Sequence, residues 1–261
     1  MYRPFRLEEF DPNTDSSYYK SGKASHLANQ GKIFKSLNEF IDDGKINGSE
    51  LIDHWFPEID ADVFISHAHK DQDAAFVIAG ILEEELGISS FIDSSAWGYS
   101  NNLLKEIDDE HSWIEARGFY DYGRRNGTTS HIHMMLATSL ARMMDNTECA
   151  IFISSPNSIQ HDQINSTTSS PWLFYELMLM KFIRERIPER HKKIVKKSAT
   201  HNFSEGVDND LNLFYHVDFD SLTEISLNTF GEWIEQWQDD PETENHSLDF
   251  LYRLTLKEFN E

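Results

Sequence analysis

The sequence predicts an α/β protein: a parallel sheet with helices on both faces. Short runs that are apolar along their whole length, such as Val63-Phe64-Ile65 and Ala150-Ile151-Phe152-Ile153, alternate with segments whose apolar residues recur every three or four positions. Strands buried on both faces read this way, whereas strands with one wet face alternate residue by residue. Strand and helix also alternate along the chain, the order that builds parallel sheets through helical crossovers.

Residues 1 to about 30 are polar, carry Pro4 and Pro12, and read as an irregular arm. From Lys32 to Ile41, Ile33, Phe34, Leu37, Phe40 and Ile41 fall at helical spacing, and Leu51, Ile52, Trp55 and Phe56 form a second apolar patch closed by Pro57. Asp62 to Ser66 predicts the first buried strand, 72–86 a helix with Glu83, Glu84 and Glu85 facing water, and Gly87 its C-terminal stop. Ile88 to Ile92 predicts the second strand. Asp93 to about Thr128 is a long polar segment holding Trp97, Trp113, Tyr120 and Tyr122, a length that is uncommon in compact domains unless it is functional or partly structured. A helix is expected over Ser130–Met144, a strand over Glu148–Ser154 and a helix over Pro171–Arg186, with the proline where helices tolerate it best. Leu213–Val217 is a candidate fourth strand, and Phe230, Trp233, Ile234 and Trp237 mark a closing amphipathic helix. The expected organisation is an N-terminal arm and helical extension over 1–58, an α/β domain over 59–222 with an insertion at about 93–128, and a C-terminal helical extension over 223–261.

Aromatic residues make up 13% of the chain, enough for a packed core. The net charge of -22 opposes binding to nucleic-acid backbones and anionic membranes, which depends on Lys and Arg displacing counterions. Cys149 is the only cysteine, so no intrachain disulfide can form, and its apolar neighbours read as inert packing. No apolar run approaches the roughly 20 residues that span a bilayer, and the N-terminus lacks a signal-peptide stretch, so the expected location is cytoplasmic.

In parallel sheets ligands bind beyond the carboxyl ends of the strands, which draws attention to the residues just after each one. Ser66-His67-Ala68-His69-Lys70-Asp71 follows the first strand, Asp93-Ser94-Ser95-Ala96-Trp97 the second, and Ser169-Ser170-Pro171-Trp172-Leu173-Phe174-Tyr175-Glu176-Leu177 opens the helix after the third. With DVFISHAHKD, FIDSSAW and SPWLFYEL in this order over roughly residues 60 to 220, the chain resembles the Toll/interleukin-1 receptor (TIR) family. The resemblance implies a flavodoxin-like sheet and, in the enzymatic members, a Trp-x-x-x-Glu helix whose glutamate acts on NAD. Here that pattern is Trp172 and Glu176, and a spacing of four puts both on one helical face.

Such a pair suits cleavage of the nicotinamide–ribose bond. Nicotinamide leaves as a neutral molecule and needs no proton, whereas the ribose becomes oxocarbenium-like and gains from a nearby carboxylate. Glu176 is therefore the expected catalytic residue, with NAD as substrate and no separate cofactor or metal. Ser66, His67 and Lys70 lie in the loop where the family contacts nucleotide, although a plain strand-to-helix cap is the other reading and Asp71 is read as that cap. Asp93 and Trp97 fall on the loop that covers the nicotinamide end or mediates assembly in relatives; Trp97 either stacks on a ring or packs the loop down.

By the same resemblance, a stand-alone chain of this type is expected to make an ADP-ribose-derived signal, cyclic or conjugated, that activates a separate effector in bacterial antiphage defence of the Thoeris type, and to self-associate as a homo-oligomer. The alternative is a non-enzymatic adaptor acting through TIR–TIR contacts. A third reading takes His67-Ala68-His69-Lys70-Asp71 as the opening of a metallo-β-lactamase-like dinuclear site, which is followed there by another His where this chain has Gln72.

Overall fold

The computed structural model describes residues 1–8, 10–30, 40–42, 45–56, 58–161, 166–191, 214–240 and 246–256. Five strands form one sheet: β1 (Arg3–Glu8), β2 (Val63–Ser66), β3 (Ser90–Ile92), β4 (Cys149–Ser154) and β5 (Thr223–Ile225). Their order is β5-β1-β4-β2-β3 and every pairing is parallel. All residues of β2 and β4 are buried, and successive side chains feed opposite faces. Phe64 and Phe152 join one core with Leu136, Leu140, Leu173 and Leu177. Val63, Ile65, Ile151 and Ile153 join the other with Ile78 and Trp233. The chain is thus α/β, a five-stranded parallel sheet flanked by helices and compatible with a flavodoxin-like fold.

The helices are α1 (Ser17–Gln30), α2 (Gly48–Trp55), α3 (Gln72–Leu86), α4 (Ser94–Ile107), α5 (Tyr122–Asn146), α6 (Pro171–Phe182), α7 (Leu227–Gln238) and α8 (Ser247–Thr255). Gly87 ends α3 in the left-handed conformation, φ 65°, which glycine adopts without a Cβ penalty. No helix among the described residues is long and apolar enough to cross a membrane.

The N-terminus departs from expectation. Residues 3–8 are not an arm but a strand inside the sheet, paired on one side with β4 and on the other with β5. Pro4 argues against a central strand, since it cannot donate to the ladder, yet Phe5 and Leu7 bury completely on alternate positions and that burial prevails. Helix α1 then lies across α3 through two glycines. A Cβ on Gly22 would sit 1.9 Å from the Phe76 carbonyl oxygen, and one on Gly80 2.0 Å from that of Tyr18. Only glycine permits that approach.

The polar segment after β3 is ordered too. It forms α4, one wider helical turn over Asp108–Ser112, and a short hairpin pairing Trp113–Ile114 with Phe119–Tyr120. Buried Asp108 binds it together, accepting from Ser112 Oγ at 3.0 Å, Arg125 Nε at 3.0 Å and Thr128 Oγ1 at 2.5 Å. Asp121 caps α5 by accepting from the Arg124 amide at 2.9 Å, so the helix begins eight residues ahead of the apolar pattern at Ser130. Tyr215–Val217 is a strand, as expected, but it belongs to a separate antiparallel sheet with Ser166–Thr168 and Gln160–His161. Helix α6 stops at Phe182 rather than Arg186. Of the helix expected over Lys32–Ile41, residues 32–39 lie outside the described residues; Ile41 pairs as a two-residue strand with Ile46.

Candidate active site

Strands β2 and β4 are neighbours whose onward connections leave in opposite directions, β2 to the edge strand β3 and β4 to β5 beyond β1. A crevice at the carboxyl ends of such a pair is where α/β sheets bind ligands. Ser66 ends β2 and His67 follows it, Asp93 follows β3, and α6 brings in Glu176. The four are 0%, 4%, 2% and 0% exposed.

Their chemistry is unusual for a protein interior. Ser66 Oγ donates to Glu176 Oε2 at 2.6 Å. His67 Nδ1 lies 2.6 Å from Asp93 Oδ1, a short contact that is not aligned as a hydrogen bond. Burial, and after it the charge and hydrogen bond of Asp93, push the Glu176 carboxyl well above the usual carboxylate range, against the Ser66 hydroxyl that favours the ionised form. Two carboxyl groups buried together thus favour the protonated form of Glu176. Glu176 Oε1 and His67 Nε2 are buried with no hydrogen-bond partner among the described residues. Each such atom costs about 1–3 kcal/mol.

Helix α1 adds His26, a residue the sequence reading left in the arm. Burial first, then the neighbouring His67, holds its imidazole down at about 4 despite the opposing pull of Asp93. Its ring packs edge-on to Phe76 at 5.0 Å. One histidine in a polar stretch has no spacing signal, and only the Gly22–Gly80 crossing brings it here.

The other expected residues are placed differently. Asp71 occupies the position before α3 but makes no capping bond; its carboxylate accepts from Ser155 Oγ at 2.5 Å and Asn157 Nδ2 at 2.6 Å. It therefore ties the loop after β2 to the loop after β4. Lys70 is exposed on the turn before it. Trp172 is half-buried and packs edge-on against His133 of α5 at 5.4 Å and Tyr175 at 6.4 Å, which seats α6 on α5. Trp97 falls on α4 rather than a loop, and its side chain lies outside the described residues. The histidines and aspartate of the metal-site reading diverge: His67 is buried against Asp93, His69 is exposed and Asp71 binds Ser155. Among the described residues no group of three His, Cys, Asp or Glu is placed to hold a metal ion. Burial pushes the Cys149 thiol well up, as befits packing.

No protein-family model matches the chain, and neither curated proteins nor solved structures give a significant match.

Proposed function

We propose that the chain is a TIR-type enzyme that breaks the nicotinamide–ribose bond of NAD, with Glu176 stabilising the ribosyl cation. The observation that carries this reading is a fully buried glutamate, one oxygen of which has no partner among the described residues, at the carboxyl ends of adjacent parallel strands. A carboxyl group kept there forgoes stability, and such sites cluster where proteins do chemistry.

The raised proton affinity of Glu176 fits the substrate. The nicotinamide ring of NAD is cationic, and a cation entering beside Glu176 and Asp93 favours the ionised carboxylate. As the glycosidic bond lengthens, positive charge moves from the ring to the ribose. A carboxylate about 4 Å away, at an effective dielectric near 20, attracts it by about 4 kcal/mol. If most of that attraction arises only in the transition state, it supplies on the order of a hundred- to a thousand-fold in rate. Because Glu176 is closed from solvent, substrate entry requires the surrounding loops to open. The further steps of the reading rest on the family resemblance alone: transfer of the ADP-ribosyl group to give a cyclic or conjugated signal, a separate effector in antiphage defence, and self-association.

The test is NAD turnover by purified protein, over a range of protein concentrations, with products resolved by mass. Glu176→Gln keeps the shape and the Ser66 hydrogen bond but removes the charge, and is expected to lose on the order of a hundred- to a thousand-fold in nicotinamide release while remaining folded. Equal turnover by the variant, or none by the wild type under any of these conditions, would leave the adaptor reading in its place.

A further inference from the structure

Cleavage of NAD by transfer to water has a proton balance that Glu176 leaves open while its carboxylate is engaged with the ribosyl cation. The C1′–N bond breaks and nicotinamide leaves neutral with the bonding pair; the C1′–O bond then forms from water, and one water proton must go elsewhere. We infer that His67 is the base that takes this proton on Nε2, and that Asp93 is the positioning residue that holds the ring for it. This rests on the NAD-cleaving reading and names the group its second step needs.

The geometry supports that assignment. Asp93 Oδ1 lies 2.6 Å from His67 Nδ1, which sets its charge beside that side of the ring and leaves Nε2 as the nitrogen open to proton transfer. Nε2 is buried and unpartnered, an acceptor with nothing to accept from among the described residues. Glu176 is within reach of the same aspartate, and Ser66, its hydrogen-bond donor, precedes His67 in the chain. The ribosyl cation beside Glu176 and the base for its acceptor thus share one side-chain cluster. A positioned base of this kind contributes about a hundred- to ten-thousand-fold.

The two steps separate by choice of acceptor. A pyridine base such as 3-acetylpyridine attacks C1′ through a nitrogen that carries no proton, so base exchange needs Glu176 but no general base. Hydrolysis needs both. With NAD and excess 3-acetylpyridine, His67→Gln is expected to lose at least a hundred-fold in ADP-ribose formation while exchange falls less than five-fold. Asp93→Asn, which keeps the shape of the site, is expected to show the same selective loss to a smaller degree, and thermal unfolding of both variants verifies the fold. Glu176→Gln is expected to lose both reactions together. If His67→Gln and Asp93→Asn lose hydrolysis and exchange in equal proportion, or lose neither, the base assignment is overturned while the role of Glu176 stands. If the wild type performs neither reaction, both fall.

Discussion

The two ends of the sheet each gather charged groups and treat them in opposite ways. At the amino end, Glu148 just before β4 is gripped by Arg190 through two nitrogens, at 2.8 and 2.5 Å, and accepts from the Tyr252 hydroxyl at 2.8 Å. Arg190 Nε also reaches Asp249 at 2.7 Å, where His191 Nε2 makes a second contact at 2.7 Å. Burial opposes the charge on Arg190, but the hydrogen bonds of Glu148 and Asp249 outweigh it and raise its affinity for the proton. Cations there match the carboxylates, and the cluster fastens α8 and the 189–191 turn onto the sheet. At the carboxyl end, Asp93 and Glu176 share one imidazole and one hydroxyl, and Glu176 Oε1 and His67 Nε2 have no hydrogen-bond partner among the described residues. The first arrangement pairs its charges, and the second does not.

Mutation separates the two most sharply. Arg190→Met leaves Glu148 and Asp249 without their cation and is expected to destabilise by about 2 kcal/mol, the cost of breaking a buried pair reduced for its partial exposure. Chemical denaturation reads this directly, and NAD turnover per folded molecule is expected to stay within two-fold. A variant as stable as the wild type would show that the amino-end network is ornamental.

Acid and base should also act on the two ends in opposite directions. The Glu176 carboxyl is raised, so the stability its proton confers is complete below the ordinary value of 4.5 and is lost as pH climbs through the raised one. At Asp249, burial is outweighed by the hydrogen bonds of His191 and Arg190, and the carboxyl is lowered; its contribution is present above the ordinary 3.8 and is lost as pH falls. The Tm of Glu176→Gln should therefore rise relative to wild type between pH 5 and pH 8. A constant difference across that range would mean that Glu176 is already ionised in the fold.

The smallest effect is expected where Asp71 joins the loops after β2 and β4. Asp71→Asn weakens the tie to Ser155 and Asn157 and should cost about 1 kcal/mol. Amide hydrogen exchange should quicken in residues 155–158 and not at the amino-end network. Unchanged exchange there would show that the clasp does not hold the loop.

Much of the fold was legible because its signals are local. The Val63–Ser66 and Cys149–Ser154 strands are apolar throughout, the α3 helix is bounded by periodicity and Gly87, and α6 opens with Ser170 and Pro171. The 93–128 segment hid its helices because α5 starts in the polar run Tyr122–Thr129, where the ordering force is the Asp121 cap and the buried Asp108 hub rather than an apolar face. Strand β1 hid behind Pro4, and only its two neighbours in the sheet supply the burial that overrides the proline.

Local patterns alone were enough for the α/β class, the three adjacent strands β4, β2 and β3, and the short list of polar residues at their ends, because these depend on side chains a few positions apart. Only the tertiary structure decided that residues 3–8 complete the sheet, that His26 stands near His67, that Asp71 clasps a loop rather than capping its helix, and that Asp93 faces Glu176. Each of these joins residues far apart in the chain, and a contact of that kind is set by how whole helices and strands pack, not by anything written beside the residues that make it.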